Sequence, residues 1–286
     1  IPGRKLIDYI TPGERVTVLA SPDSDAITMS YNGKPLHCYG NTINEYTDFA
    51  HQFLKEPMIF DGEILSEEYH MLLDRGYTRK TVRVTDAVHY VYDVIPWKEY
   101  IDRLFEQPLM SRRHTPEKLV NSAHNNDFLP NTRLNKYVVL DLDPDTGEGM
   151  SELNQHFDDA VDLGYQGLML KRVDKPYKCY RTTDWLSMKK RETVTLHLDT
   201  VEKYDHIDIT RKIQCKGWYN NNEMIVNVWR GITDADRKWI WENKDELKYA
   251  KVEIFCTSIT EPNKYKPYYS VNNPTFSRVI LDEDET

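Results

Sequence analysis

The chain is poor in the residues that mark several structural classes. Its four cysteines, Cys38, Cys179, Cys215 and Cys256, are scattered and form no CxxC pair. That excludes a sequence-local zinc or redox centre and reads most simply as reduced thiols in an intracellular protein. No apolar run approaches the ~20 residues that cross a bilayer, and the opening IPGRKLIDYI lacks the apolar core of a signal peptide. A soluble, non-secreted protein is therefore expected. Positive charge is not in excess either: 37 Lys and Arg stand against 46 Asp and Glu, a net charge of −9. This balance excludes a basic coat, although nucleic acid needs only a local patch. Low-complexity tracts, internal repeats and a Pro/Gly-rich linker are missing as well.

What is there is an ordinary globular composition, 40% hydrophobic, 29% charged and 12% aromatic over 286 residues. Such a chain can bury one large core and one small one. Period-two alternation predicts strands at 15–19, 26–30, 58–65, 87–95 and 137–142. Ile43, Tyr46, Phe49, Ala50 and Phe53 recur every three or four residues and predict a helix over 42–54. A second helix is expected over 151–163 with Ser151 as its cap, and a third from Thr115 with Pro116 in its first position. After Arg191 the texture changes to short strands at 193–199, 207–215, 224–229, 252–259 and 278–281, with one helix at 234–243. Five short strands and a helix suit a small OB-type barrel. Two domains are expected, 1–192 and 193–286.

Four stretches carry candidate chemistry. FDGEI (60–64) sets Asp61 and Glu63 at alternate strand positions, hence on one face, where carboxylates hold a magnesium ion or a ribose hydroxyl. In YVYDVI (90–95), Tyr92 is either a core ring or a platform for a purine. GYQGLMLKR (164–172) is a turn and an apolar strand that ends on Lys171, and DWLSMKKR (184–191) offers Lys189 to an anion. Between Lys171 and Arg191 eight basic residues, among them Arg172, Lys175, Lys178, Arg181, Lys190 and Arg191, face only Asp174 and Asp184. Interleaved with Tyr177, Tyr180 and Trp185, they form either a solvated loop or a surface for phosphates and bases.

Taken in order, FDGE, YxYD, GLMLKR and WLxMKK, followed by RGITDADRKWIWEN (230–243), resemble the ATP-dependent DNA ligases. These belong to the covalent nucleotidyltransferase superfamily, and the size is similar to that of the short viral or bacteriophage forms. The resemblance runs from Gly13 to about Asp284. It implies an α+β fold: an antiparallel-sheet, ATP-grasp-like nucleotidyltransferase domain followed by a small OB-fold β-barrel. It also implies a monomeric cytoplasmic enzyme of a bacterial or virus-infected cell, with no membrane partner, that uses ATP and Mg2+. Such an enzyme seals 5′-phosphate/3′-hydroxyl nicks in duplex DNA through lysyl-AMP and DNA-adenylate.

By this resemblance Ile10 and Thr11 flank the nucleotide, Arg15 reaches it, Glu63 meets the ribose or the metal, and Asp61 is a second metal carboxylate. Tyr92 would stack on adenine, and Lys171 and Lys189 would hold the α-phosphate. Ser30, Gly33 and Lys34 match an SRxGK element near the DNA, which the 172–191 basic residues would also contact. The family's nucleophilic lysine has no counterpart among the residues of the chain. Inserting one after Ile10 gives I-K-T-P-G-E-R with the family spacing, so a lysine between Ile10 and Thr11, carried as lysyl-AMP rather than as a standard residue, is expected. The chain departs from the family at Pro12, Tyr31, Gln166, Ser187 and Ile280. Gln166 takes the place of a metal-binding glutamate, and Ile280 takes that of the last motif's arginine. The competing readings are an RNA ligase or capping-type nucleotidyltransferase, and a non-catalytic nick-binding clamp that truly lacks the lysine.

Overall fold

In the computed structural model, residues 2–74, 81–180, 182–262 and 266–281 are described. The chain divides into two compact units, Ile1–Met188 and Lys189–Thr286. Up to the boundary the elements are β1 (Gly3–Tyr9), β2 (Glu14–Ser21), β3 (Ser24–Ser30), β4 (Pro35–Leu36), α1 (Gly40–Phe53), β5 (Met58–Leu65), α2 (Glu67–Asp74), β6 (Val88–Pro96), α3 (Trp97–Asp102), α4 (Leu109–Arg112), α5 (His114–His124), β7 (Thr132–Leu134), β8 (Tyr137–Leu142), α6 (Met150–Asp162), β9 (Gly167–Arg172) and β10 (Trp185–Lys189). The fold is mixed α+β and rich in sheet. One sheet has the order β4-β3-β2-β5-β6-β7 and the other β10-β9-β1-β8. β1 pairs antiparallel with β8 and β9, and in the larger sheet β4-β3-β2-β5-β6 is antiparallel throughout, while β6 pairs parallel with β7.

Alternation explains the larger sheet. Val16, Val18 and Ala20 of β2 and Met58 and Phe60 of β5 are buried in the same core as Tyr46, Phe49 and Ala50 of α1. Each such large side chain contributes about 1.5–3 kcal/mol by leaving water. A second core gathers Ile7 and Tyr9 of β1 with Leu168 of β9 and with Leu153 and Ala160 of α6. Two motif glycines are there because backbones meet. A Cβ on Gly13 would lie 2.5 Å from the Ile64 carbonyl oxygen, and one on Gly62 would lie 2.3 Å from the Tyr90 carbonyl oxygen. Gly62 also sits at a register shift between β5 and β6, where the strand bulges next to the motif carboxylates.

Two helix starts differ from expectation. α6 begins at Met150 behind Gly149, whose φ of 69° makes the turn, so Ser151 lies inside the helix and does not cap it. α5 starts at His114, directly after Arg113, which already has helical angles, and Pro116 therefore falls within its first turn.

The second unit contains β11 (Glu192–Tyr204), β12 (Ile207–Tyr219), β13 (Asn222–Val228), α7 (Asp234–Glu242), β14 (Lys251–Cys256), β15 (Ser258–Thr260), β16 (Ser270–Asn272) and β17 (Thr275–Ile280). Five strands form an antiparallel sheet of order β13-β12-β11-β14-β17, and β15 pairs with β16. The first two strands run to 13 residues each, longer than expected, because the chain passes through three register shifts that break the alternation. Among the described residues no ladder closes the sheet into a barrel. A parallel bridge between Arg230 and Thr275 joins its ends, and the Phe276 amide donates to the Arg230 carbonyl at 2.8 Å.

The TDADR segment proves to be a structural lock. Thr233 and Asp236 make a capping box at the start of α7, and Arg237 donates to the carbonyls of Thr210, Arg211 and Trp229. All four cysteines are unpaired, and no described helix is long and apolar enough to cross a membrane.

Candidate active site

The first unit contains a small recess lined by Asp8, Tyr9, Ile10, Arg15, Glu63, Tyr92, Met169, Lys171 and Trp185. Its residues come from both sheets of the unit. Arg15 of β2 is paired with Glu63 of β5, which is paired in turn with β6, the strand that bears Tyr92. From the other sheet β1 brings Asp8, β9 brings Lys171 and β10 brings Trp185. Asp8 faces Met169 across the β1–β9 ladder, so Lys171, two residues on, is its diagonal neighbour.

Charge is densely organised around this recess. Lys171 Nζ lies 2.7 Å from Asp8 Oδ2, with both side chains buried. The same nitrogen stands 4.7 Å from the ring centroids of both Tyr92 and Trp185. A cation held between two aromatic faces and one carboxylate is screened little by water, so it acts strongly on any anion that enters. Arg15 donates through Nε at 3.2 Å and Nη2 at 2.7 Å to the two oxygens of Asp61. Asp61 also accepts from the Tyr177 hydroxyl at 2.9 Å. The Asp61 charge holds the Arg15 guanidinium well above its ordinary range. Arg15 also lies near the Tyr31 and Trp185 rings, at 5.6 and 5.7 Å. Burial first, and the neighbouring Glu63 charge second, push the Tyr92 hydroxyl well above its usual value, so the phenol stays neutral.

Of the sequence-expected nucleotide residues, Ile10, Arg15, Glu63, Tyr92 and Lys171 converge on this one recess. Thr11 is buried just behind it, its hydroxyl 3.4 Å from Asn135 Oδ1. Lys189 ends β10 and is not among the lining residues. Asp61 sits beneath Arg15 with both oxygens engaged, and among the described residues no three His, Cys, Asp or Glu side chains cluster as a metal site.

The expected DNA contacts fall into two groups. Ser30, Gly33 and Lys34 form the turn from β3 to β4, with Gly33 at φ 71° and Lys34 exposed. In the basic window Arg172 grips Asp174 at 2.9 Å, Lys175 lies 3.7 Å from the same carboxylate, and Lys178 bonds Asp184 at 2.6 Å. The window's two carboxylates thus offset part of its charge, while Lys190 and Arg191 are exposed. Arg181 lies outside the described residues.

Sequence reasoning missed Asp8, and it missed Asp93, Arg112, Arg113 and Asn135 around the recess. Asp93 was visible in YVYDVI as a carboxylate on an apolar strand. Adjacent arginines in LMSRRHT had no comparable signal.

Residues 4–189 match the family model described as the ATP dependent DNA ligase domain. The chain belongs to the ATP-dependent DNA ligase family. Among curated ligases, that of Archaeoglobus fulgidus is 23% identical over 92% of this chain and 51% of its own length. The ligase of Methanobrevibacter smithii is 21% identical over 85% of the chain and 47% of its own. This ligase-family chain therefore spans about half the length of the curated relatives it matches.

Among solved structures, Pmar-Lig_PreS3 has a TM-score of 0.83 at 24% identity, covering 97% of this chain and 64% of that one. The bacteriophage T7 ATP-dependent DNA ligase in complex with ATP has a TM-score of 0.54 at 12% identity, with 97% and 92% coverage. At these identities the likeness is one of fold. The residues that line the recess all fall within the matched range.

Proposed function

We propose that the chain is an ATP-dependent polydeoxyribonucleotide ligase that seals 5′-phosphate/3′-hydroxyl nicks in duplex DNA. The carrying observation is the recess itself, in which Lys171, held by Asp8 between Tyr92 and Trp185, shares a lining with Arg15 and Glu63. These groups fit an adenine nucleotide: a ring for the base, a carboxylate for ribose hydroxyls or a metal, and cations for the phosphates. Tyr92 is the platform for adenine, Glu63 contacts the ribose or Mg2+, and Lys171 offsets the α-phosphate charge. With few protein carboxylates in reach, magnesium would be held by Glu63 together with the substrate phosphates, the usual arrangement for that ion.

The nucleophile is a lysine placed after Ile10. Ile10 itself lines the recess, and the placement of the lysine rests on the family spacing of I-K-T-P-G-E-R. Its amine attacks the α-phosphate of ATP, forms the phosphoramide bond of lysyl-AMP and expels pyrophosphate. AMP then passes to the 5′-phosphate of the nick, and the 3′-hydroxyl displaces it.

The second unit serves as an OB-fold. Its strand order, the helix between β13 and β14, and the parallel bridge from the end of β13 to β17 support a partly open five-stranded barrel. Ser30, Lys34 and the 172–191 basic residues would hold the nicked duplex, which gives binding that weakens steeply with salt. The chain would act as a monomer in the cytoplasm.

Label transfer from α-labelled ATP but not GTP, followed by sealing of a nicked DNA duplex, tests this reading. Transfer from GTP would favour a capping-type enzyme. Tight nick binding with no label transfer would favour the non-catalytic clamp.

A further inference from the structure

Two consecutive arginines lie beside the recess, and neither lines it. Arg112, at the end of α4, holds the carboxylate of Asp93 with Nε at 3.3 Å and Nη2 at 2.8 Å, and its Nη1 donates to the Gln107 carbonyl. Arg113, at the junction of α4 and α5, donates to the carbonyl of Tyr92 and, at 2.8 Å, to that of Asn135. Its guanidinium packs over the Tyr137 ring at 4.2 Å and stands 3.8 Å from Asp8 Oδ1. Arg112 is 4% exposed and Arg113 1%.

Burying one guanidinium is costly, and apolar residues of similar size stabilise a core as well or better. Two in succession therefore call for a reason other than stability. Both have hold of the same short piece of β6. Arg113 grips the carbonyl of Tyr92, and Arg112 grips the side chain of the next residue. Tyr92 is the extra residue of the bulge between β5 and β6, where Asp61 pairs with Asp93 and Gly62 with Val91, so its ring lines the recess while the carboxylate of Asp93 next to it is held by Arg112. Both holds act on the Tyr92–Asp93 junction, directly after the Tyr92 Cα. Arg113 also shares Asp8 with Lys171, the cation that stands over the same ring.

We propose that Arg112 and Arg113 are a positioning pair that fixes the Tyr92 ring and, through Asp8, the Lys171 ammonium at the spacing a purine nucleotide requires. The pair touches no substrate and acts through Tyr92 and Lys171. The proposal rests on the reading of the recess as a nucleotide site.

A double-mutant cycle on the full chain tests it, with ATP binding measured by titration calorimetry after pyrophosphate and magnesium have removed any bound AMP. Melting temperatures confirm that each variant is folded. Arg113→Lys keeps the charge and loses the fixed two-carbonyl grip, so its Kd for ATP rises about tenfold, the worth of one charge-assisted hydrogen bond. Tyr92→Ala weakens binding by at least as much. Because Arg113 acts through Tyr92 and Lys171, the double variant loses clearly less than the product of the two single losses, a coupling between the sites. Losses that multiply, or an Arg113→Lys variant that melts lower but binds ATP normally, would overturn the pair as a positioning device. If the wild-type chain binds no ATP, the nucleotide reading fails and takes the pair with it. Should Arg113→Lys not fold, Arg112→Lys enters the same cycle with the same expected outcomes.

Discussion

Asn in place of Asp61 removes a charge and little else, which makes it a direct probe of the Arg15 arrangement. Asp61 accepts from Arg15 Nε at 3.2 Å, Arg15 Nη2 at 2.7 Å and the Tyr177 hydroxyl at 2.9 Å, and its side chain is 1% exposed. Whichever way the new amide turns, its NH2 faces at least one donor, so at least one charge-assisted hydrogen bond worth about 1.5–3 kcal/mol is lost. Removing one partner of a fully buried pair costs about 3–5 kcal/mol. The Arg15 side chain, however, is 30% exposed and can turn partly to water. The net cost should therefore fall at about 2–3 kcal/mol, toward the lower end of these ranges. For a unit of this size that lowers the melting temperature by roughly 4–12 °C, read by calorimetry. ATP affinity should fall as well, since Arg15 is no longer held at the recess. A melting temperature within about 2 °C of wild type refutes the reasoning, because it leaves no room for a buried ion pair. A normal melt with a changed magnesium requirement would instead make Asp61 a metal carboxylate.

Three further outcomes follow from particular contacts. Lys171→Met leaves Asp8 without its close cation and removes the charge between Tyr92 and Trp185; lysyl-AMP formation should drop at least ~100-fold in a label-transfer assay. Thr233→Ala breaks the capping box of α7 and should cost about 1 kcal/mol, seen as a lower melt of the second unit with label transfer unchanged. His89 is fully buried with Nδ1 2.9 Å from the Tyr46 hydroxyl, and burial lowers its imidazole to about 4. Its folded value lies below the unfolded one, so the neutral ring's contribution is complete above the unfolded value near 6.5 and is lost as pH falls toward 4. The loss amounts to roughly 3 kcal/mol across that window. Urea unfolding at a series of pH values should show this slope in wild type and lack it in His89→Gln.

Much of the scaffold was legible because one period dominates each segment. Strands 58–65 and 137–142 were expected at the boundaries observed for β5 and β8. α1 follows from the Tyr46, Phe49 and Ala50 spacing that buries those side chains in the core. β1 was hidden because five consecutive residues, Lys5 to Tyr9, are buried on both faces, so no alternation survives. The long β11 and β12 were foreshortened for a related reason, since each register shift moves the pattern to the other face.

The recess was legible where ordered motifs named residue types: Arg15, Glu63, Tyr92 and Lys171. Its supports were not. Asp8, Arg112 and Arg113 act across separations of 163, 19 and 21 residues, on Lys171, Asp93 and Tyr92 respectively. No local spacing in the sequence encodes such partners. The capping residue Gly149 was missed because Ser151 offered a conventional cap two positions later, while the backbone turned first at the glycine.

The central claim is that this recess carries AMP on a lysine that follows Ile10. The direct measurement is the intact mass of the purified protein before and after treatment with pyrophosphate and magnesium. The account predicts a mass above that of the 286-residue sequence by one lysine plus one AMP, with the AMP portion removed by pyrophosphate. A mass equal to that of the sequence, unchanged by ATP or by pyrophosphate, would contradict it and leave a protein that binds nicks without sealing them.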